Sequence, residues 1–200
     1  MGNLRSVEKA AERVGATCVL TSDKAEILSA DGIILPGVGA FPKAMARIRE
    51  TGMDKVLAQA ASVDTPILGI CLGYQLLFES SVELGGAEGL GLLAGEVVEV
   101  PAGGRKVPHI GWAAVTWPQP SPLTNGMRPG EPFYFVHSFV PVPEPDEVLG
   151  IAEYGGDFAC VASRGNTFGV QFHPEKSSAA GLRLLENFSK ICTSLRDGDQ

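Results

Sequence analysis

The sequence has little positive charge and no long apolar run. Its 16 Lys and Arg stand against 23 Asp and Glu, which gives a formal net charge of −7. Binding to nucleic acid requires clustered cations that neutralise phosphates, so this balance argues against a nucleic-acid-binding protein. A membrane-spanning helix needs about 20 consecutive apolar residues. No stretch approaches that length, and the amino terminus has no signal-peptide pattern, so we expect no membrane association.

Cysteine and histidine are also scarce. The four cysteines, at positions 18, 71, 160 and 192, are far apart and form no C-x-x-C pair. This spacing favours a reducing, cytoplasmic compartment over a disulfide framework. The three histidines lack metal-ligand spacing, so we predict no metal site and no cofactor. An ordinary apolar content of 44% in 200 residues predicts a single domain over residues 1–200.

The order of apolar patterns predicts an α/β fold. Segments with helical spacing alternate with short apolar runs that are typical of strands in the first half of the chain. Such alternation implies a mostly parallel central sheet with helices on both faces. After about Ala94, short strands separated by Pro and Gly predict antiparallel additions. The expected helices cover 4–14, 41–48, 53–60 and 182–195, and the expected early strands cover 17–20, 32–35 and 65–70.

The most informative segment is Gly69-Ile70-Cys71-Leu72-Gly73, which puts a thiol between a predicted strand and a predicted helix. Flanking glycines are typical of the strained strand-to-helix turn that presents a catalytic nucleophile. The amino end of a helix also favours the thiolate, which is the reactive form. This motif alone leaves a buried structural cysteine open as the alternative.

A second motif, near the end of the chain, favours catalysis. His173 and Glu175 end a predicted strand that starts at Thr167, and a period of two puts them on the same side of the chain. A carboxylate there accepts a hydrogen bond from one ring nitrogen and leaves the other nitrogen free to act as a base. Together with Cys71, they supply the nucleophile, base and orienting group of covalent catalysis.

These motifs resemble those of a known family. Gly-Ile-Cys-Leu-Gly-x-Gln at 69–75 and Gln-Phe-His-Pro-Glu at 171–175 are the pattern of class I (triad) glutamine amidotransferases. Within that family, the chain looks like the glutaminase subunits of imidazole glycerol phosphate synthase, an enzyme of histidine biosynthesis. The resemblance runs over nearly the whole chain. The segments that carry this closer resemblance are 35–41, 107–112, 133–139 and Lys176-Ser177.

The resemblance implies hydrolysis of L-glutamine to glutamate and ammonia. Cys71 would attack the side-chain amide, His173 would transfer protons and Glu175 would orient the imidazole. A plain strand-ending turn is the alternative for the implied oxyanion loop, and a surface glutamine without a role is the alternative for Gln75. The implied substrate-binding residues are Gly37, Val38, Gly39, Leu72, Gln75, His137, Ser138 and Phe139.

The resemblance also implies a partner, because free ammonia is protonated in neutral water and must pass directly to an acceptor. That partner would be a cyclase subunit with a (β/α)₈ barrel, in a heterodimer. The candidate contacts are Asn3, His109, Trp112 and Lys176. A solvated lysine and a core aromatic are the alternatives for the last two. We expect low glutaminase activity in the isolated chain.

Relatives begin with an apolar strand ahead of the Gly-Asn pair that here directly follows Met1. We therefore expect the first strand of the sheet to be missing and the native start codon to lie upstream. Rival functions are another triad amidotransferase, a general cysteine hydrolase and a catalytically silent interaction module. Gene neighbourhood would distinguish another triad amidotransferase from the subunit of imidazole glycerol phosphate synthase. Labelling of Cys71 by a glutamine analogue would distinguish an enzyme from a catalytically silent module.

Overall fold

The structure is a computed structural model that describes residues 4–198, with side chains described as far as residue 195. Asn3, a predicted partner contact, lies outside these residues. The helices are α1 (Leu4–Arg13), α2 (Lys24–Leu28), α3 (Phe41–Thr51), α4 (Met53–Ser62), α5 (Leu72–Leu76) and α6 (Ser178–Gly198). None of the helices within this part of the chain is long and apolar enough to cross a membrane.

Eleven strands lie between these helices in the described chain. They are β1 (Ile33–Gly37), β2 (Ile67–Cys71), β3 (Ser80–Ser81), β4 (Ala87–Glu88), β5 (Glu96–Glu99), β6 (His109–Thr116), β7 (Glu131–His137), β8 (Phe139–Val142), β9 (Val148–Glu153), β10 (Asp157–Arg164) and β11 (Thr167–Val170). Short 3-10 helices cover Glu83–Gly85, Pro122–Thr124, Pro145–Glu147 and Pro174–Lys176.

The main sheet has seven strands in the order β1-β2-β11-β10-β9-β6-β7, and a smaller sheet has the order β4-β3-β5-β8. Within the main sheet, β2 pairs in parallel with β1 and β11, whereas the other neighbours pair antiparallel. The α/β class is confirmed, but parallel pairing is limited to these three strands. The cause is the tight turns between β9, β10 and β11, because a short connection can join only antiparallel neighbours.

Helices cover both faces of the main sheet, as predicted. On one face, α1 and α6 contribute Val7 and Leu185 to a core that includes Leu68 of β2. On the other face, Met45 of α3 packs in a second core with Ile67 of the same strand. Successive side chains of a strand point to opposite faces. The fully buried β2 therefore anchors both layers, and the turn that follows it is held from both sides.

The predicted strand at 17–20 is wrong. Residues 16–23 form neither helix nor strand, and the side chains of Val19 and Leu20 are 62% and 58% exposed. The β-propensity of a segment mostly expresses how well it pairs and packs on a sheet. Here the segment does not pair with β1, which is an edge strand of the main sheet, so its apolar residues do not make a strand.

Candidate active site

Cys71 lies at the turn between β2 and α5, at φ 56° and ψ −112°. This is the strained strand-to-helix geometry that the sequence predicts, and L-residues adopt a positive φ rarely. A Cβ on Gly73 would overlap the carbonyl oxygen of Leu35 in β1, and one on Gly69 would lie 2.7 Å from the carbonyl oxygen of Gly73. Only glycines at these two positions allow α5 to lie so close to the sheet, and this close approach holds Cys71 at the strand end.

His173 follows β11, the strand that pairs in parallel with β2. The sequence predicts that this strand continues to Glu175, but the strand ends at Val170 and Pro174 starts a 3-10 helix. The fixed φ of proline suits the first position of a helix and ends the extended segment. The contact between His173 and Glu175 is therefore made across a tight turn and not along a strand.

The imidazole of His173 bridges Cys71 and Glu175. Its Nδ1 lies 2.9 Å from Oε1 of Glu175, and both side chains are nearly or completely buried. The Cys71 side chain is close enough to the same ring to raise its pKa. Burial lowers the pKa of His173, but the hydrogen bonds to Cys71 and Glu175, together with their negative charges, outweigh burial and raise the pKa from 6.5 to about 9. The site therefore favours an imidazolium at neutral pH.

The sulfur of Cys71 has two further polar neighbours. The thiol can donate to the carbonyl oxygen of Val136 at 3.7 Å, and Nε2 of the fully buried Gln171 lies 3.9 Å from Sγ, as a donor. Oε1 of Gln171 accepts from Nε2 of Gln75 at 3.1 Å. The same nitrogen of Gln75 donates to the Phe139 carbonyl oxygen at 2.9 Å. Because both N–H groups of Gln75 are used in this way, the group that Gln75 offers to a substrate is its carbonyl oxygen.

A cavity of about 670 Å³ opens in front of Cys71. It is the size of a small-molecule site. Gly37 is not on its lining: it lies behind, where an added Cβ would be 3.0 Å from the backbone nitrogen of Gly73. Glu175 is also behind the wall, against His173. The predicted residues that line the cavity are Val38, Gly39, Cys71, Leu72, Gln75, His137, Ser138, Phe139, His173 and Lys176.

Comparisons with known proteins agree with this geometry. The family model for class-I glutamine amidotransferases matches residues 2–192. The chain is 52% identical over 192 residues to the imidazole glycerol phosphate synthase subunit HisH of Moorella thermoacetica, a match that covers 96% of this chain and 91% of that protein. The chain belongs to the HisH family of class-I glutamine amidotransferases. It is also 48% identical over 204 residues to HisH of Geobacillus kaustophilus, with 99% and 96% of the two chains covered.

Solved structures show the shared fold at lower identity. A crystal structure of a glutamine amidotransferase matches with a TM-score of 0.75 and 21% identity, over 96% of this chain and 95% of that one. PurLQS from Thermotoga maritima matches with a TM-score of 0.71 and 23% identity, over 93% and 91% of the two chains.

One acidic residue on the cavity wall of this HisH-family chain was missed by the sequence motifs. Glu83, in a 3-10 helix after α5, lines the cavity, and its Oε2 accepts from the backbone N–H of Phe41 at 2.8 Å. It thereby caps α3, whose N-cap residue Ala40 makes no side-chain cap bond. No recognisable motif surrounds Glu83, so its place in the cavity depends on tertiary folding. The only available signal was an acidic residue shortly after the elbow helix.

The predicted partner contacts divide into exposed and buried residues. Trp112 is 54% exposed, whereas His109 on the same strand is 3% exposed. Trp112 packs against Tyr134 with ring centroids 5.8 Å apart, and Nζ of Lys176 lies 5.7 Å from the Tyr134 centroid. We call Trp112, Tyr134 and Lys176 the aromatic patch. Because its side chain is buried, His109 can influence a partner only through its neighbours.

Residues 4–198 contain no group of three or more His, Cys, Asp or Glu side chains that is arranged to hold a metal ion.

Proposed function

We propose that this chain is the glutaminase subunit of imidazole glycerol phosphate synthase. It hydrolyses L-glutamine to glutamate and ammonia, and it passes the ammonia to a cyclase subunit in histidine biosynthesis. The observation that carries the proposal is the convergence of Cys71, His173 and Glu175, from distant parts of the chain, at one wall of the cavity. Membership of the HisH family supports the substrate and the pathway.

The first chemical step forms a bond between Sγ of Cys71 and the side-chain amide carbon of glutamine. Before the attack, the thiol proton already resides on the ring nitrogen of His173 other than Nδ1, since Nδ1 is held by Glu175. The raised pKa of His173, about 9, favours the thiolate–imidazolium pair that this step requires. As the C–S bond forms, the carbonyl electron pair moves onto oxygen and produces a tetrahedral oxyanion.

The second step breaks the C–N bond. The imidazolium of His173 donates its proton to the leaving nitrogen, ammonia departs and a thioester remains on Cys71. His173, neutral again, takes a proton from water, and the resulting hydroxide equivalent attacks the thioester carbon. Glutamate leaves as the thiolate is restored. Glu175 stays ionised and keeps the ring in the tautomer that both steps need.

Two backbone segments are placed to stabilise the oxyanion. The N–H of Leu72 is in the first turn of α5, where a helix offers no intrahelical acceptor. We assign the second donor to the loop at Val38 and Gly39, which lines the same cavity as Leu72. Gly39 has a φ of 105°, a conformation open to glycine that sets the direction of the neighbouring N–H groups. Preorganised donors of this kind are a large part of catalysis in acyl transfer.

The charged end of glutamine needs an anion for its ammonium group and donors for its carboxylate. Glu83 supplies a carboxylate on the cavity wall, and we assign it to the α-ammonium group. The carbonyl oxygen of Gln75 and the backbone of His137, Ser138 and Phe139 line the same cavity. We assign these groups to the remaining polar atoms of the substrate.

The partner is a cyclase with a (β/α)₈ barrel, bound through the aromatic patch. Lys176 belongs to the turn that carries Glu175, and the backbone N–H of His173 donates to the carbonyl oxygen of Tyr134 at 2.9 Å. A partner that packs on Trp112 and Tyr134 therefore contacts β7, the strand whose Tyr134 carbonyl accepts the hydrogen bond from His173. This connection favours activation of the glutaminase by the occupied partner. Because the formal net charge is −7, we expect the complex to work without nucleic acid. A cytoplasmic location without membrane contact remains our expectation.

The test is glutamate release by the chain alone and in complex with the cyclase and its acceptor substrate. We expect low activity alone and a strong rise in the complex. Cys71→Ser should lower kcat by about 10³-fold or more, while Cys18→Ser, a change at a half-buried cysteine that does not line the cavity, should leave kcat unchanged. Equal activity of Cys71→Ser and the native chain would refute the assigned nucleophile.

A further inference from the structure

Two of the three histidines form a pair that the proposed chemistry does not use. His109 of β6 and His137 of β7 lie directly opposite each other in the antiparallel register. They are 3% and 5% exposed, and Nδ1 of His109 lies 3.0 Å from Nε2 of His137. Buried imidazoles that contact each other need a defined arrangement of protons, because two facing N–H groups or two facing lone pairs repel.

The surroundings define that arrangement. Nδ1 of His137 lies 3.0 Å from the carbonyl oxygen of Phe139. A carbonyl only accepts, so Nδ1 of His137 carries the proton and its Nε2 is the acceptor in the neutral ring. His109 must then donate from its own Nδ1. The two rings therefore point their N–H groups in one direction, from His109 to His137 and on to Phe139.

Both rings are held neutral. Burial and the charge of His109 lower the pKa of His137 to about 3, with a smaller contribution from His173, and the hydrogen bond to Phe139 opposes them only in part. Burial and the charge of Arg105 lower the pKa of His109, although Glu153 acts in the other direction. Tyr154, whose ring stacks on His109 at a centroid distance of 4.0 Å, is a further titratable group that faces the pair. An imidazolium at either position would place two donors against each other or a charge in a buried site.

The pair leads to the nucleophile. The Phe139 carbonyl accepts from both His137 and Gln75, Gln75 also donates to Gln171, and Gln171 donates to Sγ of Cys71. The two bonds to the Phe139 carbonyl are part-buried and the two bonds of Gln171 are buried. Because a carbonyl only accepts, His137 and Gln75 are both donors to it. The Phe139 carbonyl is the shared acceptor, and its two lone pairs are both used.

The series of hydrogen bonds begins at His109 in β6, the strand that also carries Trp112 of the aromatic patch. His109 is stacked between Phe135, at a centroid distance of 5.1 Å, and Tyr154, at 4.0 Å. It also lines a second cavity of about 330 Å³, which it shares with Trp112. Among the contacts described for residues 4–195, only the side chain of His109 both lines the second cavity and hydrogen-bonds a residue of the catalytic cavity.

We propose that His109 is a positioning residue of the glutaminase site. Its Nδ1–H donates to Nε2 of His137 and so holds that ring in place. His137 in turn holds the Phe139 carbonyl, which is the acceptor for Gln75. Gln75 holds Gln171, and Gln171 donates to Cys71. The role lies in the N–H donor and not in the aromatic stacking. The catalytic part of this inference rests on the proposed function, but the proton arrangement does not.

The proton arrangement is tested by NMR on untagged protein labelled with ¹⁵N in its histidine rings. Only three rings contribute, since the chain has three histidines, and one substitution at each position assigns them. We expect His109 and His137 to be neutral with the proton on Nδ1 at pH 7, and His173 to be doubly protonated at the same pH. A proton on Nε2 of either His109 or His137 would overturn the proposal.

Two matched variants separate the donor from the stacking. His109→Phe keeps an aromatic ring between Phe135 and Tyr154 but removes the donor, whereas His109→Asn keeps an N–H near the position of Nδ1 and removes the ring. In the complex with the cyclase, we expect His109→Phe to raise KM for glutamine about tenfold with a smaller change in kcat, because His109 touches neither Cys71 nor His173. His109→Asn should stay within about threefold of the native KM.

The protonation midpoint of His137, measured by titration, gives a second test that a loss of packing alone would not change. Without the donor, Nε2 of His137 is open to protonation, so its midpoint should rise by about one pH unit or more in His109→Phe and much less in His109→Asn. An equal or larger effect of His109→Asn on KM and on this midpoint would show that stacking matters, and it would refute the proposal. If the native complex releases no glutamate, the proposed function fails. The proton positions on His109 and His137 in the native protein still test the proposed arrangement of hydrogen bonds.

Discussion

The cavity brings together two buried histidine clusters that the protein treats in opposite ways. In the charged cluster, His173 lies between Cys71 and Glu175, and its pKa is raised to about 9. In the neutral cluster, His137 lies between a second imidazole and a backbone carbonyl, and its pKa is lowered to about 3. Burial acts in the same direction on both rings, so the partner groups decide the outcome. In the roles proposed above, side chains of one type would thus serve as an acid and base in one place and as a fixed donor in the other.

The two clusters are also built differently. The charged cluster depends on tight turns: the strained Cys71 elbow after β2 and the 3-10 turn after β11. The neutral cluster depends on the register of β6 and β7, which puts His109 opposite His137. Local backbone strain is needed only where a nucleophile must leave the plane of the sheet. We therefore expect changes to the turns and to the register to affect the two clusters separately.

The largest expected effect removes the elbow. Gly73→Ala puts a Cβ on top of the Leu35 carbonyl oxygen, which belongs to backbone that cannot move aside. We expect a loss of about 4 kcal/mol or more in the free energy of unfolding, or no folded protein. Denaturant unfolding measures it. The matched control is Gly165→Ala in the β10–β11 turn, where φ is 55° and nothing lies within 4 Å of the added Cβ.

The control should show only the cost of a left-handed backbone, about 1–2 kcal/mol. Similar losses in both variants would mean that conformational preference, and not the close approach of α5 to β1, determines the need for glycine at position 73.

The next effect removes the carboxylate of the charged cluster. Glu175→Gln takes away the negative charge that helps to raise the pKa of His173 and gives Nδ1 a partner that can also donate. We expect kcat for glutamine hydrolysis in the complex to fall by about 10²–10⁴-fold, and the His173 midpoint to fall in a ¹⁵N titration. Glu186→Gln, at an exposed glutamate paired with Lys190, is the control. A kcat within tenfold of the native value would argue against an orienting role for Glu175.

The smallest effect concerns the neutral cluster and acid stability. The pKa of His137 is about 3 in the folded state, below its unfolded value of about 6.5. The unfolded state therefore binds more protons between these values, so the contribution of His137 to stability is fully present above pH 6.5 and is lost as the pH drops towards 3. One such group contributes a slope of up to about 1.4 kcal/mol per pH unit.

His137→Gln removes that titration, so the free energy of unfolding should depend less steeply on pH between 6 and 4 than it does for the native chain. Denaturant unfolding at a series of pH values measures the difference between the two slopes. If the two slopes are the same, His137 already takes up its proton in the folded state and the neutral cluster is not held neutral.

The sequence predicts the charged cluster much better than the neutral one. Gly69, Cys71 and Gly73 are close neighbours, and His173 and Glu175 are two residues apart, so short motifs carry most of that geometry. His109 and His137 meet only through the pairing of β6 with β7, and Glu83 reaches the cavity only when α3 packs beside it. Contacts of this kind depend on register and packing, which short patterns do not encode.

The errors have the same origin. The apolar run at 17–20 has the composition of a strand but pairs with no strand in residues 4–198. The antiparallel strands after Ala94 were predicted only as additions to a mostly parallel sheet, because the alternation of helices and strands in the first half does not show how many later hairpin strands join the same sheet. The extended segment was carried as far as Glu175, although Pro174 already marks its end.

The central claim is that Cys71 is an activated nucleophile in a site that binds glutamine. The most direct measurement is covalent labelling of the complex with a diazoketone analogue of glutamine, followed by mass spectrometry of the intact protein and of its peptides. The account predicts one adduct per chain, on Cys71, that excess glutamine prevents and that Glu175→Gln slows. Adducts spread over Cys18, Cys160 and Cys192, or an unmodified Cys71, would contradict it.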